Sequence, residues 1–133
     1  MTDYKNFING AWEASASERA VDNVNPADTS DVLGTVHLAT REEARAAVEA
    51  AYNARHAWKA TPPPVRGKLL FRAARILDEQ LDDIAAIMTR EEGKTLTEAK
   101  GEVRRAVNIM EYIAGEGRRI NGETIYSELA SNL

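Results

Sequence analysis

The segment from Leu69 to Met88 constrains the fold most. Leu70, Ala73, Leu77, Leu81, Ile84 and Met88 recur at three- and four-residue intervals, the spacing that lines one face of an α-helix. Leu69, Ile76 and Ile87 carry the apolar surface round to a second face, so this helix needs more than one neighbour. Thr61-Pro-Pro-Pro64 precedes it, and proline is tolerated in a first helical turn whose amides have no intrahelical partner. Gly93 is a natural C-terminal cap, and together these signals predict a helix over residues 63–92.

Two more helices flank it. Thr40-Arg-Glu-Glu43 and Thr95-Leu-Thr-Glu98 both have the form of a capping box, in which the threonine hydroxyl accepts from a first-turn amide and the glutamate reaches back. After the first come Ala44, Val48, Ala51, Arg55 and Trp58, which predicts a helix over 40–58 with an alanine-rich stripe. After the second, Val103, Val107, Met110, Ala114 and Gly117 share a face with Ile109 and Ile113 beside it, predicting a helix over 96–121 that Asn121-Gly122 ends. The opening, residues 6–38, is β-rich instead. Asn9-Gly10 accepts the positive φ angles of a tight hairpin turn, Asn25-Pro26 closes a strand ending near Val24, and Val32–Leu38 is a further strand. The fold class is therefore α+β: a short hairpin and strands followed by three long helices. Residues 123–133 have no clear period and no closing turn, and they read as an interrupted connection.

Composition removes several classes of function. A formal charge of −4 and a pI near 5.3 repel phosphate backbones and anionic lipid head groups, which argues against nucleic acid or a membrane surface as partner. The N-terminus lacks a basic region followed by an apolar stretch, so a cytoplasmic protein is the expectation. None of the 133 residues is a cysteine, so the chain itself offers no thiol nucleophile and no thiolate metal site. His37 and His56 have no further ligands at metal spacing, and Glu91-Glu92 are helical neighbours that point apart. Gly115-Glu-Gly117 falls late in a helix, with Ile120 where a dinucleotide turn needs its third glycine. Gly93-Lys94 lacks the upstream glycine of a phosphate loop. No catalytic and no cofactor-binding residue is assigned within this chain.

Glu91–Val103, EEGKTLTEAKGEV, resembles the E-x-G-K-x-x-x-E-A-x-x-E-[VI] signature of NAD(P)-dependent aldehyde dehydrogenases. Phe7–Trp12 (FINGAW), Asn23–Pro26 (NVNP) and Gly117–Ile125 (GRRINGETI) are similar to further segments of that family, in its order and spacing. The resemblance implies that residues 1–133 are the N-terminal segment of the α/β aldehyde dehydrogenase fold, of a semialdehyde-oxidising kind. It implies that the parent enzyme works by thiolate attack on the aldehyde, hydride transfer to NAD or NADP and thioester hydrolysis. In the family the cysteine, the glutamate base and the glycine-rich turn lie downstream, so this chain alone is expected to be inactive and to hold no cofactor. Three further expectations follow from the resemblance. Glu91, with the carbonyls of Asn23 and Val24, would take part in a monovalent-cation site of oxygen ligands. Arg105, Asn108 and Tyr112 would line part of the aldehyde tunnel, where an arginine suits a carboxylate-bearing aldehyde. The partner would be the remainder of the parent enzyme, or another copy of the chain. A free-standing helical oligomerisation module derived from the same fold is the alternative. Its exposed secondary helix faces would be expected to be polar, whereas Leu69, Ile76, Ile87 and Ile109 are apolar.

Overall fold

The structure, a computed structural model, describes residues 2–126 together with 128 and 129. Five short strands precede four helices: β1 (Thr2–Tyr4), β2 (Asn6–Ile8), β3 (Ala11–Glu13), β4 (Ala20–Val24), β5 (Val32–His37), α1 (Arg41–Ala60), α2 (Pro63–Glu79), α3 (Leu81–Glu92) and α4 (Leu96–Glu116). β2 and β3 form an antiparallel hairpin in which Phe7 stands opposite Trp12. The turn between them has φ of 51° at Asn9 and 83° at Gly10, the left-handed pair that matches the twist of a two-residue hairpin. The other strands make a sheet in the order β1-β5-β4, with β1 parallel and β4 antiparallel to β5. β1 has no marked signal in the sequence, because three residues are too few to display an alternation.

The stretch expected as one helix over 63–92 is divided at Gln80, whose φ of −103° and ψ of 14° leave the helical region. The backbone bonds nearly continue through the break, from the Gln80 amide to the Ile76 carbonyl and from the Ile84 amide to the Gln80 carbonyl. Apolar periodicity runs unbroken across such a joint, which is why the sequence reads as a single helix. α4 ends at Glu116, and the next residues form a turn in which the amides of Arg118 and Arg119 bond the Gly115 and Glu116 carbonyls. Of the connection over 123–133, residues 123–126 carry no regular structure, and Ser127 and 130–133 lie outside the described residues.

α2, α3 and α4 hold the core. Ala85, Ala99 and Val103 are buried with Leu81, Ile84 and Met88 packed against them, and Ala74, Val107 and Ala114 extend the seam between α2 and α4. The seam is narrow because its side chains are small. A Cβ on Gly67 would collide with the Ala114 carbonyl, and one on Gly117 would come within 2.5 Å of the Pro63 carbonyl. These glycines therefore let α2 meet the end of α4 backbone to backbone. α1 lies apart from this core and buries none of its residues. Glu43 ties its start to the β region: the carboxylate accepts from the amides of Thr40 and Ala16 and from Ser15 Oγ, each at 2.7 Å.

Candidate functional site

The C-terminal turn of α3 grips the loop between β4 and β5. Arg90 reaches Asp31 through Nε at 3.0 Å and Nη2 at 2.5 Å, a two-pronged geometry that a guanidinium makes with a carboxylate. Asn25 steadies the same carboxylate at 3.2 Å, while its own Oδ1 accepts from the Ala27 amide at 2.9 Å and shapes the turn around Pro26. The Arg90 guanidinium first, and Asn25 second, hold the Asp31 carboxyl down at about 2. Gly93 completes the joint. Its φ of 72° closes α3, and a Cβ there would strike Pro26 at 2.8 Å and the Ala27 amide at 3.3 Å.

Glu91 lies beside this grip. Its Oε1 accepts from Asn23 Nδ2 at 3.1 Å, so two of the three residues expected at a cation site are brought together, with Val24 next in β4. The contact is a direct hydrogen bond from an amide donor, and the pairing of β4 with β5 is irregular between Asn23 and Val24. Among the described residues no group of three or more histidines, cysteines, aspartates and glutamates is placed to hold a metal ion.

The remainder of the Glu91–Val103 run is structural as well. Lys94 bridges Glu92 at 2.5 Å and Glu102 at 2.7 Å, and these carboxylates, Glu102 foremost, raise its ammonium above the ordinary lysine value. Thr95 and Glu98 form a capping box that starts α4, and the bonds from Thr95 lower the Glu98 carboxyl. Ala99 and Val103 then enter the core. Motif residues that look like chemistry in the sequence thus build a joint between sheet and helix layer.

Arg105, Asn108 and Tyr112 lie together on the outward side of α4, opposite the buried stripe of Ala99, Val103 and Val107, and all three are exposed. A groove of about 240 Å³ on another side of the helix is lined by Trp58, Arg66, Leu70, Ile113, Glu116 and Ile120 among others, and by none of these three. Gly115 and Gly117 do not fit a dinucleotide. They sit at the end of a helix instead of its start, and Gly117 is used for contact with Pro63. The residue pair the sequence does not reveal is Asp31 with Arg90. They are 59 positions apart, and nothing local to either marks the other as a partner.

The comparisons with known proteins agree with this architecture. The aldehyde dehydrogenase family model matches residues 12–132. The chain is 47% identical over 124 residues to an α-ketoglutaric semialdehyde dehydrogenase of Bacillus subtilis, covering 93% of this chain and 25% of that protein. It is 42% identical over 119 residues to the NADP-dependent succinate-semialdehyde dehydrogenase GabD of Escherichia coli, covering 90% of this chain and 24% of that protein. Its fold is similar to that of an NAD-dependent benzaldehyde dehydrogenase from Corynebacterium glutamicum, with a TM-score of 0.88 and 32% identity over 95% of this chain and 28% of the other. The chain belongs to the aldehyde dehydrogenase family. It spans about a quarter of the length of these relatives.

Proposed function

We propose that residues 1–133 are the N-terminal portion of an NAD(P)-dependent aldehyde dehydrogenase that oxidises a semialdehyde to the dicarboxylic acid. The observation that carries this reading is the 47% identity to an α-ketoglutaric semialdehyde dehydrogenase, joined by further semialdehyde dehydrogenases among the relatives. NAD or NADP would supply the hydride acceptor. The chain contributes no residue set that fits that cofactor, and the absence of cysteine from its 133 residues leaves the thiolate step to the rest of the parent. Residues 1–133 alone neither turn over nor bind the cofactor tightly. They position helices, and the outward residues of α4 contribute to the aldehyde path, with Arg105 facing the carboxylate end of the substrate. Glu91, with the main chain of Asn23 and Val24, contributes to a monovalent-cation site that other parts of the parent complete.

The exposed apolar faces support a portion of an enzyme over an adapted module. Leu69, Ile76, Ile87 and Ile109 are 43–56% exposed, where a free-standing module would have polar residues. Steady-state kinetics of the parent enzyme test the reading, with α-ketoglutaric and succinic semialdehydes against benzaldehyde, each with NAD and NADP. A kcat/KM at least about tenfold higher for the semialdehydes is expected. Equal or higher efficiency with benzaldehyde overturns the substrate assignment.

A further inference from the structure

Asn-Gly occurs twice in the chain, at Asn9-Gly10 and at Asn121-Gly122, and the structure sets the two in unlike surroundings. The dipeptide is chemically labile for a steric reason. Glycine has no Cβ to shield its amide, so that nitrogen can approach the carboxamide of the asparagine before it. Asn9 and Gly10 are exposed, but both are in the left-handed region, and the pairing of Ile8 with Ala11 clamps their turn. One step further along the strands the rings of Phe7 and Trp12 meet at 5.0 Å. Bringing the Gly10 nitrogen onto Asn9 Cγ requires rotation of the Asn9 backbone out of the turn, so the hairpin must open first. Asn121 and Gly122 are exposed without such a clamp. The turn that follows α4 closes with a bond from the Ile120 amide to the Glu116 carbonyl at 3.1 Å, one residue short of Asn121. Among the described residues no hydrogen bond holds the Asn121 carboxamide or the Gly122 amide. A Cβ on Gly122 would meet nothing within 4 Å, and Gly122 is not among the left-handed glycines.

We infer that Asn121 is a site of spontaneous covalent modification, deamidation through a succinimide, and that the hairpin protects Asn9 from the same reaction. The Gly122 nitrogen gives its proton to solvent base and adds to Asn121 Cγ. The Cγ–Nδ2 bond breaks, and the side-chain nitrogen takes a proton from water and leaves as ammonia. Water then opens the five-membered ring. Attack at Cγ restores the original main chain with an aspartate at 121, whereas attack at the main-chain carbonyl leaves Gly122 joined through Cγ, an isoaspartate. Nothing is oxidised or reduced. Either product sets a new carboxylate close in sequence to Arg118 and Arg119 and adds one negative charge to a chain whose formal charge is −4. The isoaspartate also lengthens the main chain by one carbon, which re-aims the connection leaving α4. The inference concerns the chain's own residues and is independent of the substrate proposed for the parent.

The test incubates the full-length parent enzyme at mildly alkaline pH, in native buffer and in parallel in urea, and follows both sites by peptide mapping with isoaspartate resolved from aspartate. In native buffer Asn121 should convert at least about tenfold faster than Asn9, a ratio equivalent to about 1.4 kcal/mol of protection by the hairpin. In urea, where the hairpin is gone, the two sites should convert at similar rates. Asn121→Gln, whose amide would have to close a larger ring, and Gly122→Ala, whose Cβ shields the amide, should each suppress conversion at 121 and leave Asn9 unchanged. Both variants alter exposed residues, and circular dichroism checks that the helices persist. Should either variant unfold, the ratio of the two sites in the unaltered protein decides alone. Conversion of Asn121 in urea only, or no faster than Asn9 in native buffer, would overturn the inference. A tenfold ratio that persists in urea would overturn the protective role of the hairpin, because the difference would then come from local sequence.

Discussion

Two carboxylates, Asp31 and Glu43, hold distant segments together, and both are kept ionised far down the pH scale. Asp31 is at about 2 because of Arg90, and Glu43 is at about 2 because the amides of Ala16 and Thr40 donate to it. A carboxyl whose folded pKa lies below its ordinary value stabilises the fold fully above that ordinary value. The contribution is lost as pH falls through the folded pKa. For these two groups the window runs from the ordinary 3.8 and 4.5 down to about 2. Urea midpoints measured from about pH 6 to about pH 2 should therefore fall steeply below about pH 4, and Asp31→Asn with Glu43→Gln should flatten that fall. A midpoint that declines equally in wild type and variant would remove both groups from the account. Gly117 offers a second residue-scale prediction. Its missing Cβ is what allows Pro63 to approach, so Gly117→Ala should destabilise the chain by about 1–3 kcal/mol in chemical denaturation, the usual range for overpacking. Arg105→Ala, on an exposed outward face, should leave stability unchanged. In the parent enzyme it should raise KM for a semialdehyde about tenfold and leave an uncharged aldehyde unaffected, if the guanidinium meets the substrate carboxylate.

Elements whose signals are local were the ones legible in the sequence. Both capping boxes are present as spelled, with Thr40 accepting from the Glu43 amide and Thr95 from the Glu98 amide. The Asn9-Gly10 turn and the Gly93 cap likewise need only their own residues to be recognised. What the sequence did not display depends on partners far along the chain. The break at Gln80 interrupts no apolar period, and the parallel pairing of β1 with β5 joins residues more than thirty positions apart. The candidate site divides in the same way: the family resemblance singled out Glu91 and Asn23, but neither the bond between their side chains nor the Asp31–Arg90 grip beside them was marked by any local signal. The capping boxes give a prediction at this scale. Thr95→Ala should cost about 1 kcal/mol, because α4 supplies Ala99 and Val103 to the core and its start is coupled to global unfolding. Thr40→Ala should fray the first turn of α1 and lower the global midpoint less than Thr95→Ala does, since α1 buries none of its residues and Glu43 keeps its bonds to Ser15 and Ala16. Amide exchange resolved by segment distinguishes the two outcomes, and equal global losses would contradict the separation of α1 from the core.

At the scale of the whole chain, the balance between buried and exposed apolar groups is unusual for a free protein. Among the described residues the buried hydrophobics are four alanines and two valines, and no large side chain is fully enclosed. Trp12, Trp58, Phe7, Phe71 and Tyr52 are all 46% exposed or more. Burial stabilises at roughly 25 cal/mol per Å² of apolar surface removed from water, so small side chains contribute little against the entropy of ordering the backbone. Chain 1–133 in isolation should therefore unfold at low denaturant with weak cooperativity, and it should bind an apolar dye such as ANS while retaining helical circular dichroism. Addition of the downstream portion of the parent should abolish dye binding and raise the midpoint, because ligation of the folded form draws the equilibrium toward it. A sharp, dye-free transition for the isolated chain would show that its faces are already covered, and would favour an assembly module over a portion of an enzyme.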